Sequence, residues 1–439
     1  MKPGWPLLAS LSLGLALSAC AAGPPSGSSA APTAVPAPRQ DFAYGFDLST
    51  QEPDQPSLKG FPNRPGAVTS ARAVMASLPR SYVDQAIFGF GAASDPEPSP
   101  GVFDLGDVAR RIAMIQAAGD TPVITLVSAP PWMKGPASTG KRLFATPPAP
   151  DHYRDFAALA VHVALRFPQV KYFVVWSELR GFWNPATRSW DYRDYTRLYN
   201  EVYRAIKRVR PDALVGGPYA NLTAYPRPVR GVVSAVHGRW GYLDRGMLDA
   251  VSYWLAHKAG ADFVAVDGAT AVAETGDAGL ANPVTAAGQY AAVDRWIRAR
   301  SDLPIWWMES HIQASRGWTP AQAAAARIAT LAEMAGSGAS VGMQWQPQEQ
   351  AGWPDEGLWT STLVPGGGRP TPLATLLPKV LPILGRSPAL GCGEPPGVLV
   401  ASDGAGVLAV NTTDHRVTAE VGGSPLALLP AQVYTSFRR

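Results

Sequence analysis

The chain has 439 residues, of which 46% are hydrophobic and 16% are charged, with a formal net charge of +4 at pH 7. A chain of this length can bury a large core, and one α/β barrel with a small additional domain fits it better than three average domains. The small net charge and the lack of a basic run argue against a nucleic-acid partner. The six histidines are scattered and the two cysteines form no cluster, so we expect neither a metal site nor a cofactor.

The N-terminus carries a secretion signal. Lys2 precedes an apolar stretch, residues 5–17, which is too short for a stable membrane span. The stretch ends in Leu17-Ser18-Ala19-Cys20, which resembles a bacterial lipobox. In that interpretation Cys20 is lipidated and becomes the mature N-terminus. An ordinary signal peptide cleaved near Ala19 or Ala22 is the alternative.

These features predict a domain order for the start of the chain. Residues 1–20 are a lipoprotein signal peptide, and residues 21–40, rich in Ala, Gly, Pro and Ser, are a flexible tether. The lipid on Cys20 would anchor the protein to a membrane. The predicted location is therefore the bacterial cell envelope, on the outer, extracytoplasmic face of the membrane.

Residues 41–388 alternate between short apolar strands and amphipathic helices. Eight strands are predicted, at 42–48, 83–91, 121–127, 172–178, 213–219, 262–267, 304–309 and 340–346. Helices are predicted at 108–118, 153–166, 195–209, 243–257, 284–300, 319–336 and 372–385. This order predicts a parallel (β/α)₈ TIM barrel. A doubly wound sheet is the alternative, but no Gly-rich phosphate turn follows the first strand.

Residues 389–439 differ in character from the barrel. Short strands are predicted from residue 397, from residue 406, at 417–421 and at 433–437, with turn residues between them. They predict a small antiparallel β domain that is too short to be stable alone and so packs on the barrel.

Two glutamates close the most apolar of these strands, Glu178 after Tyr172–Ser177 and Glu309 after Pro304–Met308. Burial of a carboxylate costs hydration free energy. A buried carboxylate is therefore expected only where it has a charged or hydrogen-bonding partner or a functional role. The tips of barrel strands converge at one face, so the fourth and seventh strands bring these two groups together. A pair of carboxyl groups is what glycosidic bond cleavage needs.

Tryptophans favour the same chemistry, because aromatic faces stack on the C–H surfaces of sugars. Half of the 14 tryptophans crowd the predicted strand ends and the loops that follow, namely Trp132, Trp176, Trp183, Trp306, Trp307, Trp345 and Trp353. A carbohydrate is therefore the expected substrate.

The ordered set of short motifs resembles clan A glycoside hydrolases, especially family 39, which includes β-xylosidases and α-L-iduronidases. The motifs are Ala129–Met133, Val175-Trp176-Ser177-Glu178, Gly181-Phe182-Trp183, Val215–Pro218, Met308-Glu309-Ser310, Gly342–Trp345, Gly357–Thr360 and Arg369–Pro372. The resemblance implies that Glu178 is the acid/base, Glu309 the nucleophile and Trp345 the platform under the reacting sugar. It also implies retention of configuration through a covalent glycosyl-enzyme.

The sequence departs from this family at two points. The family usually has Asn directly before the acid/base, where its amide contacts the 2-hydroxyl of the sugar, whereas this chain has Ser177. The His-x-Tyr of the sixth strand is also missing. The usual partner of the nucleophile is therefore absent or replaced by Asp267 or His311.

The remaining candidate substrate-binding residues lie at strand tips. Asp47 ends the first strand, Tyr219 the fifth and Asp267 the sixth, while Trp132, Trp176, Trp183 and His311 lie at or just beyond other strand ends. For Asp47, a turn-forming role is the alternative, and His311 could simply be solvated.

Structural interpretations remain open for both glutamates. Glu178 could be an ion-pair partner of Arg180, and Glu309 could cap a helix or bind Arg316. Two functions follow. The first is a surface-anchored retaining glycosidase that acts on an extracellular polysaccharide or glycoconjugate. The second is a non-catalytic carbohydrate-binding lipoprotein on a degenerate barrel.

Overall fold

The computed structural model describes residues 41–48, 63–135, 144–270, 282–312, 318–349 and 357–437. The predicted signal peptide, the tether and Cys20 lie outside the described residues, as do Arg316 and Trp353. None of the helices in the described part of the chain has both the length and the apolar character that crossing a membrane requires.

Eight parallel strands close into a barrel, in the order β1-β8-β7-β6-β5-β4-β3-β2. They are β1 (Ala43–Asp47), β2 (Tyr82–Ala86), β3 (Thr121–Leu126), β4 (Tyr172–Val175), β5 (Leu214–Asn221), β6 (Phe263–Ala269), β7 (Ile305–His311) and β8 (Val341–Gln344). Because the sheet closes on itself, the predicted (β/α)₈ barrel is confirmed and the doubly wound alternative is excluded.

Eight helices follow the eight strands in turn. They are α1 (Pro65–Ser77), α2 (Gly106–Ala117), α3 (Tyr153–Arg166), α4 (Tyr192–Val209), α5 (Arg245–His257), α6 (Pro283–Arg298), α7 (Pro320–Ser337) and α8 (Pro372–Leu384). Helix α7 begins with the predicted capping box of Thr319 and Gln322 and ends at Gly338, whose φ of 96° suits glycine. Sequence patterns missed α1 because half of its buried residues are the alanines Ala67 and Ala71, a weak periodic signal.

The barrel interior is filled by inward-facing side chains of alternate strand positions. Val123, Val174, Phe263, Trp306, Met308 and Met343 form this cluster. The ring of Trp306 stacks on that of Phe263 with centroids 4.3 Å apart. Gly216 on the neighbouring strand leaves room for the Phe263 ring, which a Cβ there would overlap. The barrel is therefore packed below its mouth, and any site must lie above these layers.

Two additions decorate the carboxyl ends of the strands. After β4, residues 183–184 and 189–190 form a hairpin in which Trp183 pairs with Trp190. After β5, a three-stranded antiparallel sheet contains residues 224–225, 233–238 and 241–244. Neither addition was predicted, because most of these strands are very short.

The C-terminal strands are β9 (Ala389–Leu390), β10 (Val398–Ser402), β11 (Gly406–Asn411), β12 (Val417–Val421), β13 (Ser424–Leu428) and β14 (Val433–Phe437). Strands β9, β10, β11 and β14 form one antiparallel sheet, and β12 and β13 form a hairpin. Strand β11 packs against α7 and α8. The predicted small antiparallel addition is confirmed, and β9 and β13 are strands that the sequence did not indicate.

Candidate active site

Glu309 projects from β7 near its carboxyl end and is 6% exposed. The hydroxyl of Tyr219, from β5, donates a hydrogen bond of 2.7 Å to Glu309 Oε1. His311 Nε2 lies 3.4 Å from Oε2 of the same carboxylate. The nucleophile candidate therefore has two partners: His311, which the sequence offered for this role, and Tyr219, which it did not.

The surroundings of Glu309 favour its neutral form. Burial is the largest cause and the negative charge of Glu178 the second, and together they raise the pKa of Glu309 to about 8. The hydrogen bond from Tyr219 and the charge of Arg180 oppose this rise. Because the charge of Glu178 acts on Glu309, the two glutamates share one electrostatic environment.

Glu178 lies in the turn beyond β4, since this strand ends at Val175 and not at the predicted residue 178. Trp176, Glu178 and Leu179 have φ values of 69°, 51° and 50°, in the left-handed region that non-glycine residues rarely adopt. Strain of this kind persists only where the surroundings enforce it and is concentrated at functional sites.

Both carboxylate oxygens of Glu178 are engaged. Asn221 Nδ2 donates to Oε1 at 2.9 Å, and Arg180 forms an ion pair with Oε2. A hydrogen bond also joins the carboxyl groups of Glu178 and Asp267. Burial is the largest single influence on the pKa of Glu178 and acts upward. The Arg180 charge with the hydrogen bonds from Asp267 and Asn221 outweighs it and lowers the pKa.

Asp267, on β6, is fully buried beside Glu178. Burial first, and then the charges of Glu178 and Glu309, raise the pKa of Asp267 well above its usual value. The raised pKa favours the protonated form of Asp267, which can donate to Glu178, while Asn221 Nδ2 donates a hydrogen bond to Asp267 Oδ2 at 3.0 Å. Asn221 was not predicted from the sequence.

The mouth of the barrel holds a cavity of ≈ 190 Å³. Its wall consists of Asp47, Asp84, Ala86, Phe90, Thr125, Val127, Ser177, Arg180, Tyr219, Glu309 and Trp345. Arg180 is on this wall and Glu178 is not: the side chain of Arg180 is 39% exposed and that of Glu178 only 14%. The guanidinium therefore stands between the acid/base candidate and the cavity.

The predicted tryptophans lie in different surroundings. Trp345 lines the cavity, with its ring 4.6 Å from that of His311. Trp176 is fully buried and donates Nε1–H to the Arg180 carbonyl at 2.8 Å, so it supports the turn and cannot stack on a sugar. Trp132 donates to the Glu97 carbonyl and packs against His152.

Three further tryptophans lie away from the cavity wall. Trp183 is 47% exposed on its hairpin and packs edge-on against Trp190. Trp306 is in the barrel core, and Trp307 is fully buried and donates Nε1–H to Asp294. Successive side chains of β7 point to opposite faces of the sheet, which explains why Trp306 lies in the core and Trp307 contacts Asp294. Neither residue lies at the strand end, so neither reaches the cavity wall.

Asp47 and Asp84 form the wall on the β1–β2 side. They are directly opposite each other in the register of the two strands and are 1% and 2% exposed. Asp47 was a candidate and Asp84 was not. The signal that could have found Asp84 is a carboxylate within the predicted strand 83–91, in which Gln85 is the only other polar side chain.

A cation site is a further possibility at the mouth. Asp267, Glu309 and His311 each offer one ligand atom within 4.8 Å of the others. Asn221 donates to Asp267, Tyr219 donates to Glu309, and His311 contacts Glu309, and we assign no metal to this group.

The chain matches no protein-family model and no curated protein. Solved structures do match it. A family 39 glycoside hydrolase from Bacteroides cellulosilyticus WH2 is 14% identical, with 91% of this chain and 81% of that chain covered and a TM-score of 0.58. A conserved exported protein from Bacteroides fragilis is 13% identical, with coverages of 91% and 97% and a TM-score of 0.59.

A monomeric beta-xylosidase from Caulobacter crescentus CB15 is 20% identical, with 84% of this chain and 76% of that chain covered and a TM-score of 0.52. Identities this low establish likeness of fold. The chain therefore has the clan A-like barrel fold found in solved family 39 glycoside hydrolase structures.

Proposed function

We propose that this protein is a retaining glycoside hydrolase that cleaves O-glycosidic bonds by double displacement. The observation that carries the proposal is the placement of Glu309 on the wall of a cavity that also presents Trp345, with Glu178 paired to Arg180 of the same wall. Two carboxyl groups at one barrel mouth are the minimal equipment for this reaction.

Glu309 is the nucleophile in this proposal. Its carboxylate attacks the anomeric carbon while the glycosidic oxygen leaves, and water later cleaves the glycosyl ester. Tyr219 holds Oε1 in place, so that one carboxylate oxygen is oriented before the substrate binds.

Glu178 is the acid/base, and its resting state is not the reactive one. The first step needs a proton on Glu178 and none on Glu309, whereas Arg180 favours the ionised form of Glu178. A sugar that displaces Arg180 from Oε2 removes this stabilisation. The proton that Glu309 holds at rest can then move to Glu178, so that Glu309 becomes the carboxylate that attacks and Glu178 the acid that protonates the leaving oxygen.

A screen of aryl glycosides and bacterial wall polysaccharides tests the activity. Wild type should release the aryl alcohol or reducing ends from at least one substrate, and Glu309→Gln should release none. Glu201→Gln, on helix α4, is the matched control and should behave as wild type. Equal activity of wild type and Glu309→Gln would refute the proposal.

The proposed location rests on the lipobox alone. We propose that Cys20 is lipidated and anchors the enzyme to the outer face of the membrane, where extracellular polysaccharides or glycoconjugates are accessible. Labelled palmitate should be incorporated into wild type and lost in Cys20→Ala, which should be released as a soluble form. Unlabelled wild type would support the ordinary signal peptide.

A non-catalytic carbohydrate-binding role is the second candidate. It is favoured by the ion pair that separates Glu178 from the cavity and by Ser177 at the position where the resembling family has Asn. This binding role predicts the opposite outcome of the substrate screen. A sugar should bind with an affinity measurable by calorimetry, and wild type should release no reducing ends at any enzyme concentration.

A further inference from the structure

Among the described residues, one carboxylate oxygen on the cavity wall lacks a hydrogen-bond partner. Asp84 Oδ2 accepts a hydrogen bond of 2.7 Å from the hydroxyl of Thr125, on the neighbouring strand β3. Asp84 Oδ1 is buried and has no hydrogen-bond partner among the described residues. A buried carboxylate oxygen without a partner is costly, so a ligand that offers a hydrogen-bond donor at this position would be stabilised.

The surroundings of Asp84 identify the side of the cavity to which it belongs. Asp84 is paired in register with Asp47, and both form the wall on the β1–β2 side. The charge of Glu309 acts on Asp84, which places the two carboxyl groups in one chamber. Burial, followed by the charge of Asp47, raises the pKa of Asp84 well above its usual value.

We propose that Asp84 is a specificity-determining residue that accepts a hydrogen bond, through Oδ1, from a donor group of the sugar held beside Trp345. This bond favours the ionised form of Asp84 over the neutral form favoured by burial. The inference rests on the proposed carbohydrate function of the cavity, whether or not the bound sugar is cleaved. The donor is a hydroxyl or a protonated amino group, and both would satisfy the same oxygen.

Discrimination follows from the burial of this oxygen. A sugar without a donor at this position leaves Oδ1 unpaired and shut off from water, so the loss exceeds that of a solvent-exposed hydrogen bond. Sites built to bond a polar group reject analogues that lack it far more strongly than apolar pockets reject an extra methylene. Thr125 fixes the carboxyl group through Oδ2, so Oδ1 cannot turn away to find another partner.

Calorimetric affinities for free monosaccharides test this inference. The ligands are xylose, glucose, galactose and mannose, with their monodeoxy and monoamino derivatives. These compounds have no glycosidic bond to cleave, so the measurement does not depend on hydrolysis. In wild type, removal of one particular hydroxyl should weaken binding roughly 10- to 100-fold, the range for one hydrogen bond to a charged group.

The variant Asp84→Ala, combined with the deoxy sugars, completes a double-mutant cycle. It should bind the parent sugar and that one deoxy derivative equally, while the penalties at the other positions stay as in wild type. Asp84→Asn, which keeps an acceptor for Thr125, serves if Asp84→Ala does not fold. It should lose most of the same discrimination.

Asp120→Ala is the matched control. Asp120 is also a buried aspartate with one bonded and one unpartnered oxygen, but it precedes β3, at the opposite end of the barrel. All deoxy penalties should survive in this variant. Identical penalties in wild type and Asp84→Ala at every position would overturn the inference, as would failure of every sugar to bind.

The amino derivatives identify the donor. If an ammonium group is the natural partner, the amino sugar at the sensitive position binds more tightly than the hydroxyl sugar in wild type and loses most in Asp84→Asn. If a hydroxyl is the natural partner, the amino sugar binds no better. A protein that binds with the Asp84-dependent pattern but hydrolyses nothing would refute the glycosidase proposal and support this one.

Discussion

The ends of β4 and β7 each carry a glutamate, and the two groups are held in opposite states. Glu309 faces the cavity, is held by Tyr219 and has a pKa raised to about 8 by burial and by the charge of Glu178. Glu178 lies behind Arg180, and that guanidinium with two hydrogen bonds lowers its pKa.

This difference shows that a strand-end position brings a carboxyl group to the site but does not set its protonation. Arg180 is the only fixed cation among the residues that line the cavity, and it is committed to Glu178. Near neutral pH the proton shared by the two glutamates is therefore favoured on Glu309. Double displacement needs it on Glu178, so the reactive form is a minor one until a sugar displaces Arg180.

Removing Glu309, the glutamate that faces the cavity, should have the largest effect on activity. Glu309→Ala should lower kcat by about 10⁴-fold or more, because no carboxylate remains to form the glycosyl ester. Added azide should restore turnover and give a product of inverted configuration, measured by NMR. Activity within a few-fold of wild type would remove Glu309 from the nucleophile role.

Glu178→Ala should have a smaller and more selective effect. Turnover should fall by about 10²–10⁴-fold on substrates with poor leaving groups. The loss should be much less on activated aryl glycosides, whose departing oxygen needs little protonation. Rates on the two substrate classes, measured side by side, decide the point, and equal losses on both would contradict an acid/base role.

Tyr219→Phe tests what holds Glu309. The hydrogen bond from Tyr219 lowers the pKa of Glu309, so its loss raises that pKa above about 8 and leaves fewer molecules with the proton on Glu178. kcat/KM should fall about 10- to 100-fold, the range for one hydrogen bond to a charged group. The falling limb of the pH profile should move to higher pH.

A control for Tyr219→Phe is available in the core. Tyr195→Phe removes a buried hydroxyl that donates to the carbonyl of Val175, with no contact to either glutamate. It should reduce the thermal midpoint without moving either limb of the profile. If the limbs of the pH profile moved alike in both variants, the shift would come from a general loss of packing and not from the hydrogen bond to Glu309.

The sequence predicted the fold well because buried parallel strands and their helices leave strong periodic signals. All eight barrel strands were anticipated, with ends displaced by a few residues. The largest error of functional weight is at β4, which ends at Val175 because Trp176 and Glu178 adopt left-handed conformations that no apolar pattern reports. Helix α1 was missed because half of its buried residues are alanines, which give a weak apolar signal.

The site was harder to predict, because its partnerships cross from strand to strand. Tyr219 and Glu309 are 90 residues apart, and nothing in either local pattern indicates the hydrogen bond between them. Asn221 and Asp84 are polar residues inside strands with no motif around them. The ion pair of Glu178 with Arg180 was foreseen as the structural alternative, and the structure contains it together with the shared cavity environment.

Arg180→Leu should have the smallest effect on rate and the clearest effect on pH dependence. The charge of Arg180 lowers the pKa of Glu178, so its removal raises that pKa, and the rising, acidic limb of kcat/KM should move to higher pH. Arg180 also lowers the pKa of Glu309, but there it is the weakest of the four influences. The proton should therefore shift toward Glu178, and kcat/KM at the optimum should change by only a few-fold. Arg180→Lys keeps the charge and should keep the limb near its wild-type position. If the acidic limb is the same in both variants and in wild type, Arg180 does not control Glu178, and the contrast between the two glutamates must come from burial alone.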